Sequence, residues 1–257
     1  MNKDHHIYEP ILLILITAFL LACSTDIEPA DPNMSNHSKN LKQQAGSAHY
    51  KDTFQLDTIH YLALGDSYTA GTSVSAKENY PSQLATALFN QGHIPVNTKI
   101  IAHNGWTTAN LLQAIDKTPT SPPYQLVSLL IGVNNQYQRL PFFFFFTEFP
   151  KLLEYALKMA GGKANGVVVL SIPDYAYTPF GQGSNPQTIS SELDNYNKFA
   201  RSTADKMGIT FIDITEITRG GIDDPQLVAN DNLHPSGKAY KLFVEHILPI
   251  VAPRVLN

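Results

Sequence analysis

The chain is 257 residues long and 43% hydrophobic, enough apolar side chain for one globular domain with a sizeable core but not for two independent ones. Its net charge of -4, with no cluster of Lys or Arg, excludes the basic footprint that a nucleic-acid partner requires. The single cysteine excludes a disulfide framework, so the core alone must hold the domain together.

The first feature along the chain is an apolar stretch from Ile11 to Ala22, interrupted only by Thr17, with Lys3 before it and Cys23 directly after. A membrane span needs about 20 residues, so this shorter run suits the hydrophobic region of a secretory signal instead. Its ending, Leu20-Leu21-Ala22-Cys23, resembles the bacterial lipobox, whose cysteine receives lipid after cleavage. Acyl chains on Cys23 would anchor the protein to a membrane, because each buried methylene contributes roughly 0.8 kcal/mol. By the same resemblance, Ser24 after the cysteine implies the outer membrane of a bacterial envelope. The alternative is an ordinary signal peptide with an incidental cysteine, which leaves the protein periplasmic or secreted; Asp4, His5 and His6 depart from the usual basic start.

From Ser24 to about Lys51 the chain is rich in Asp, Pro, Asn, Ser, Lys and Gln and poor in large apolar residues, the composition of a flexible tether. The Asn-x-Ser matches at Asn33 and Asn36 fall inside it and are read as chance. The expected organisation is a signal peptide over 1–22, a lipidated Cys23 with its tether over 23–54, and one folded domain over 55–257.

Beyond the tether, short apolar runs alternate with longer segments of helical periodicity. The strand candidates are Ile59 to Leu64, Val96 to Ala102, Gln125 to Ile131, Gly166 to Ile172 and Ile209 to Ile214. Between and after them, Tyr80 to Gln91, Thr107 to Asp116, Phe149 to Ala160, Ser190 to Met207 and Ser236 to Val251 carry apolar residues at helical spacing. Pro81 and Pro235 suit first-turn positions, and Gly92, Gly161-Gly162 and Gly208 suit caps. The alternation predicts an α/β protein, a three-layer α/β/α sandwich around a five-stranded parallel sheet, with its functional crevice at the carboxyl ends of the strands.

Four short blocks fall at element ends where such a crevice would form. Gly65-Asp66-Ser67 follows the first strand directly, where a glycine lets the chain turn sharply and a serine hydroxyl faces the crevice. Asn104-Gly105-Trp106-Thr107-Thr108 follows the second, and its glycine leaves a backbone N–H free to approach a ligand. Gly132-Val133-Asn134-Asn135 follows the third, with an amide side chain able to donate to developing negative charge. In Asp231-Asn232-Leu233-His234-Pro235, the carboxylate and the imidazole are three residues apart. At that spacing Asp231 can accept the Nδ1–H of His234 and leave Nε2 as a base, the arrangement a serine nucleophile requires. Pro235 at a helix start would place His234 at the positive end of the helix dipole, which favours neutral imidazole.

Together the blocks resemble the SGNH hydrolases, the GDSL esterase and lipase superfamily, over essentially the whole domain from Ile59 onward. The resemblance implies Ser67 as nucleophile, His234 as general base and Asp231 as the carboxylate that orients it. It implies an oxyanion hole made by the Ser67 and Gly105 N–H groups and the Asn134 side chain. Ser171-Ile172-Pro173-Asp174 and His234-Pro235-Ser236-Gly237-Lys238 also look like the family. Asn135 stands where many members carry Asp, and Asp66 is read as a structural turn residue rather than a catalytic acid. His60, His93, His103 and His246 have no partner pattern and are read as surface or packing residues.

The segment Leu140-Pro141 followed by Phe142 to Phe146 departs most from the family, which is usually polar there. Five consecutive phenylalanines cannot share one face, so they form either a flap packed on the domain or an apolar rim that meets acyl chains or membrane. The expected function is hydrolysis of lipid-type or short acyl esters through an acyl-enzyme at the cell envelope. The alternatives are an O-acetylesterase of envelope polysaccharide and a non-catalytic binding lipoprotein. No cofactor and no metal site are expected; the partners expected are an ester substrate and, through Cys23, a membrane.

Overall fold

The computed structural model describes residues 58–256; the signal, Cys23 and tether expectations lie outside the described residues. Five strands form one all-parallel sheet in the order β2-β1-β3-β4-β5: β1 (Ile59–Gly65), β2 (Val96–Ala102), β3 (Leu126–Leu130), β4 (Val167–Leu170) and β5 (Thr210–Ile212). The central β3 and β4 are buried at every position, as strands covered on both faces must be, whereas the edge strand β2 is mostly half-exposed. On one side α2 (Tyr80–Gly92) packs against α9 (Gly237–Val255); in the other layer α3 (Thr108–Lys117) packs on α5 (Phe142–Met159), and α5 on α7 (Pro186–Lys206). The α/β/α sandwich and its five parallel strands match the sequence expectation.

Several ends differ from the sequence reading, each for a local reason. The expected cap Gly92 is the last residue of α2, and the left-handed cap is His93, at φ 56°; a Cβ on Gly92 would meet the Leu256 side chain at 2.4 Å. Helix α9 runs through Pro249 and Pro253 to Val255, because Ile247, Val251, Ala252 and Val255 are buried and hold the last turns to the core despite the lost N–H donors. At its other end α9 begins at Gly237, capped by the Ser236 side chain, so Pro235 lies outside the helix and bridges Val228 instead.

The phenylalanine run also differs from expectation. It forms the first turns of α5, which starts seven residues before the expected Phe149. Helical geometry sorts the run: Phe145 points inward and is fully buried with Phe149, while Phe143, Phe144 and Phe146 are 65%, 43% and 52% exposed. Phe145 stacks on Phe149 at 5.0 Å and lies 4.6 Å from the Tyr196 ring of α7. Its ring also occupies the place a Cβ on Gly132 would take, 2.6 Å away, so it packs directly under the third block. Phe145→Ala is expected to lower stability by about 3–5 kcal/mol, and Phe143→Ser by less than about 0.5 kcal/mol, in urea-unfolding titrations.

Candidate active site

Three of the four blocks are brought together by strand register. Ala102, Gly65 and Leu130, at the carboxyl ends of β2, β1 and β3, are direct cross-strand partners. The chain leaves β1 for one neighbour and later returns to the other, and at such a switch point the loops part to leave a crevice. Gly65 fits there because a Cβ would lie 2.1 Å from Thr69 Oγ1 and 2.3 Å from the Leu130 carbonyl oxygen.

Ser67 opens a one-turn helix, α1 (Ser67–Ala70), where the sequence suggested only a sharp turn. The buried Asp66 caps it by accepting the Tyr68 N–H at 3.0 Å, and Gly71 closes it in the left-handed conformation. Beneath it runs a buried chain of hydroxyls: Tyr61 to Ser128 at 2.8 Å, Ser128 to Tyr80 at 3.1 Å, and Tyr80 to Thr69 at 3.4 Å. Asp66 is thus a structural turn residue, and burial pushes its carboxyl up to about 7 against the restraining Tyr68 N–H.

The second and third blocks are tied to each other. Asn134, in α4 (Val133–Tyr137), donates from Nδ2 to the Trp106 carbonyl at 3.0 Å, which orients its amide and leaves the second N–H free to point elsewhere. Asn135 is fully buried, accepts the Thr108 N–H at 3.0 Å and donates to Thr108 Oγ1 at 2.7 Å, a bridge rather than a ligand. Gly105 adopts φ 80° with nothing within 4 Å of a would-be Cβ, so its backbone borders open space.

The fourth block does not follow a strand. It is a loop stapled by hydrogen bonds from Ala229 N to the His234 carbonyl at 2.7 Å and from Ser236 N to the Leu227 carbonyl at 2.9 Å. Asp231 Oδ1 accepts the Leu233 and His234 N–H groups at 3.0 and 2.9 Å, and Oδ2 lies 2.6 Å from His234 Nδ1. Burial pulls the Asp231 carboxyl up, but the hydrogen bonds from Ser73, His234 and Leu233 outweigh it and hold it down to about 2. His234 lies against this carboxylate and the Tyr68 ring, 5.8 Å away and steeply inclined, two residues before the Ser236 cap of α9 rather than at the helix start that Pro235 suggested.

Ser67, Gly105, Asn134 and His234 line one cavity of about 250 Å³, with Asp231 behind the imidazole. Among the described residues no hydrogen bond joins the Ser67 hydroxyl to His234; such bonds are often long before substrate binds. The cavity's other walls are Tyr68, Asn104, Val133, Tyr137, Gln138, Tyr175, Phe180 and Leu233. Sequence reasoning did not single out Tyr137, Tyr175 or Phe180; no motif marks them, and only their mutual ring packing at about 6 Å brings them to the cavity. Asp174 of the Ser171-to-Asp174 block is buried and bound to Ser190 and Arg219, which fixes the loop carrying Tyr175. His60, His93, His103 and His246 are exposed, with His103 stacked on Trp106. Among the described residues no group of three His, Cys, Asp or Glu could hold a metal ion.

A parallel α/β/α sandwich with its cavity at the switch point is an enzyme-type fold that takes its ligand outside the strand ends. The model of the GDSL-like lipase/acylhydrolase family matches residues 63–242, and the protein belongs to that family: it is an ester hydrolase of the SGNH superfamily. Its fold is similar to the lipase/acylhydrolase of Enterococcus faecalis, with a TM-score of 0.60 and 21% identity over 77% of this chain and 97% of that one. It is also similar to a lipolytic G-D-S-L protein of Veillonella parvula, at 0.57 and 19% over 74% and 97%. An acetylxylan esterase of Geobacillus stearothermophilus aligns at 0.57 and 17% over 75% and 94%. No curated protein sequence matches the chain.

The two aspartates give opposite pH signatures. A carboxyl raised on folding holds its proton more tightly in the native state, so the contribution of Asp66 is full below the unfolded value of about 4 and is lost as pH rises towards about 7. A depressed carboxyl acts the other way: the contribution of Asp231 is present above about 4 and is lost as pH falls towards about 2. Asp66→Asn, which cannot ionise, is expected to flatten the decline in unfolding free energy between about pH 4 and 7, read by urea titrations across that range.

Proposed function

We propose that the protein cleaves its ester through an acyl-enzyme on Ser67. In this reading His234 Nε2 takes the hydroxyl proton as Ser67 Oγ attacks the carbonyl carbon, and Asp231 holds the Nδ1–H and balances the imidazolium. The oxyanion is held by the N–H groups of Ser67 and Gly105 and the free N–H of Asn134. Collapse of the tetrahedral species expels the alcohol, protonated by His234; water then attacks the acyl-serine with His234 again as base. The observation that carries this reading is the single cavity onto which Ser67, Gly105, Asn134 and the Asp231-supported His234 converge.

The substrates proposed are lipid-type or short acyl esters at the bacterial cell envelope, met by a protein anchored to the outer membrane through lipid on Cys23. Support for a lipid comes from the ground beside the cavity. Tyr137 and Tyr175 also line an adjoining groove of about 1080 Å³, whose walls include Leu140, Phe142, Tyr196 and Phe199. Phe143, Phe144 and Phe146 stand exposed on the same end of α5, an apolar patch that a soluble surface rarely leaves uncovered. A second reading, removal of O-acetyl groups from envelope polysaccharide, is favoured by the small size of the cavity next to Ser67, which suits a short acyl group.

Ser67→Ala is expected to abolish turnover of p-nitrophenyl acetate and labelling by a fluorophosphonate, and Asn134→Ala to lower kcat by about 10²- to 10³-fold. Parental turnover in folded Ser67→Ala would sink the mechanism. Replacing Phe142, Phe143 and Phe144 with Ser is expected to depress hydrolysis of long-chain p-nitrophenyl esters more than that of the acetate. An unchanged chain-length profile, together with release of acetate from acetylated polysaccharide, would favour the second reading.

A further inference from the structure

Ser73 lies six residues beyond Ser67, outside every motif, yet its hydroxyl donates to Asp231 Oδ2 at 2.5 Å. That oxygen is the one facing His234 Nδ1. The other bonds to Asp231 come from the N–H groups of Leu233 and His234, two and three residues away. They fix the carboxylate within its own loop and do nothing to place that loop against Ser67. Ser73 is on the other side of the site. Gly71 N and Thr72 N both donate to the Ser67 carbonyl, at 2.9 and 3.1 Å, so the chain from Ser67 to Ser73 is one tight turn with the candidate nucleophile at its start.

The backbone at Ser73 supports a selected role for the hydroxyl. Its φ is 68°, a left-handed conformation that strains a residue with a Cβ and that glycine adopts freely. Glycine would relieve the strain but supplies no donor. The segments that follow are also joined, by the bond from Gln83 Nε2 of α2 to the Gly237 carbonyl of α9 at 3.0 Å, and the Tyr68 ring of the Ser67 turn lies 5.8 Å from that of His234.

We infer that Ser73 is a positioning residue that docks the loop carrying Asp231 and His234 onto the turn carrying Ser67, so that base and nucleophile are held in one frame. The inference rests on the roles proposed above for Ser67, Asp231 and His234. Ser73 touches no substrate; it acts through the carboxylate, steadying Oδ2 so that the imidazole keeps Nε2 aimed at the cavity.

Two variants separate the hydroxyl from the backbone. Ser73→Ala removes the hydroxyl and keeps the strain; Ser73→Gly removes the hydroxyl and relieves the strain, and is expected to unfold at a higher midpoint than Ser73→Ala. In the full chain, both are expected to lower kcat for p-nitrophenyl acetate about tenfold, the scale of one hydrogen bond to a charged group, with KM within about twofold. Both are also expected to move the low-field proton resonance of the His234 Nδ1–H. Parental kcat and an unmoved resonance in both variants, with Ser67→Ala inactive, would overturn the inference and leave the mechanism standing. The same holds if Ser73→Ala loses only stability. An active Ser67→Ala would instead remove the mechanism on which the inference rests.

Discussion

The site depends on the register of three parallel strands. Because Ala102, Gly65 and Leu130 are cross-strand partners, the chain segments that follow them start side by side at one edge of the sheet. Parallel pairing sends all three connections out on the same edge, and the reversal of direction at β1 parts them there. A slip of one residue in β1 would turn its side chains to the opposite face and carry Ser67 away from Gly105 and Asn134. The glycine at position 65 pins the register from within, since neither the Leu130 carbonyl nor Thr69 leaves room for a Cβ.

On that base, two aspartates of similar motif standing do unlike work. Asp66 is sealed beneath α1 and its carboxyl is raised to about 7, a cap that tolerates a proton. Asp231, part-exposed and given hydrogen bonds by Ser73, Leu233 and His234, is held down to about 2. An anionic carboxylate next to Nδ1 suits a base imidazole, whereas beneath the turn burial works against the charge that the Tyr68 N–H favours. Environment, not residue type, divides the two.

The phenylalanine run shows how one sequence feature can serve core and surface together. A helical turn sends Phe145 inward against Gly132, where it supports the third block, puts Phe142 on the wall of the groove and leaves Phe143, Phe144 and Phe146 exposed. Read as a string of letters, the run has no period and so no side; the 3.6-residue turn supplies one.

The fold class was legible because alternating apolar runs and helical periodicities need no long-range information, and the strand cores at 59–64 and 96–102 match the structure closely. Element ends were less legible: Pro235 looks like a first helical residue, yet Ser236 supplies the cap, and Pro249 and Pro253 stay helical because buried neighbours on α9 hold them. The sequence by itself determined which residues are the candidates for the chemistry, Ser67, Gly105, Asn134, Asp231 and His234, since local turn and spacing requirements are written in consecutive letters. Tertiary structure decided what surrounds them. The Ser73 hydroxyl on Asp231, Tyr137 and Tyr175 between cavity and groove, and Phe145 beneath Gly132 are contacts between segments distant along the chain, and only packing brings such residues within reach of one another.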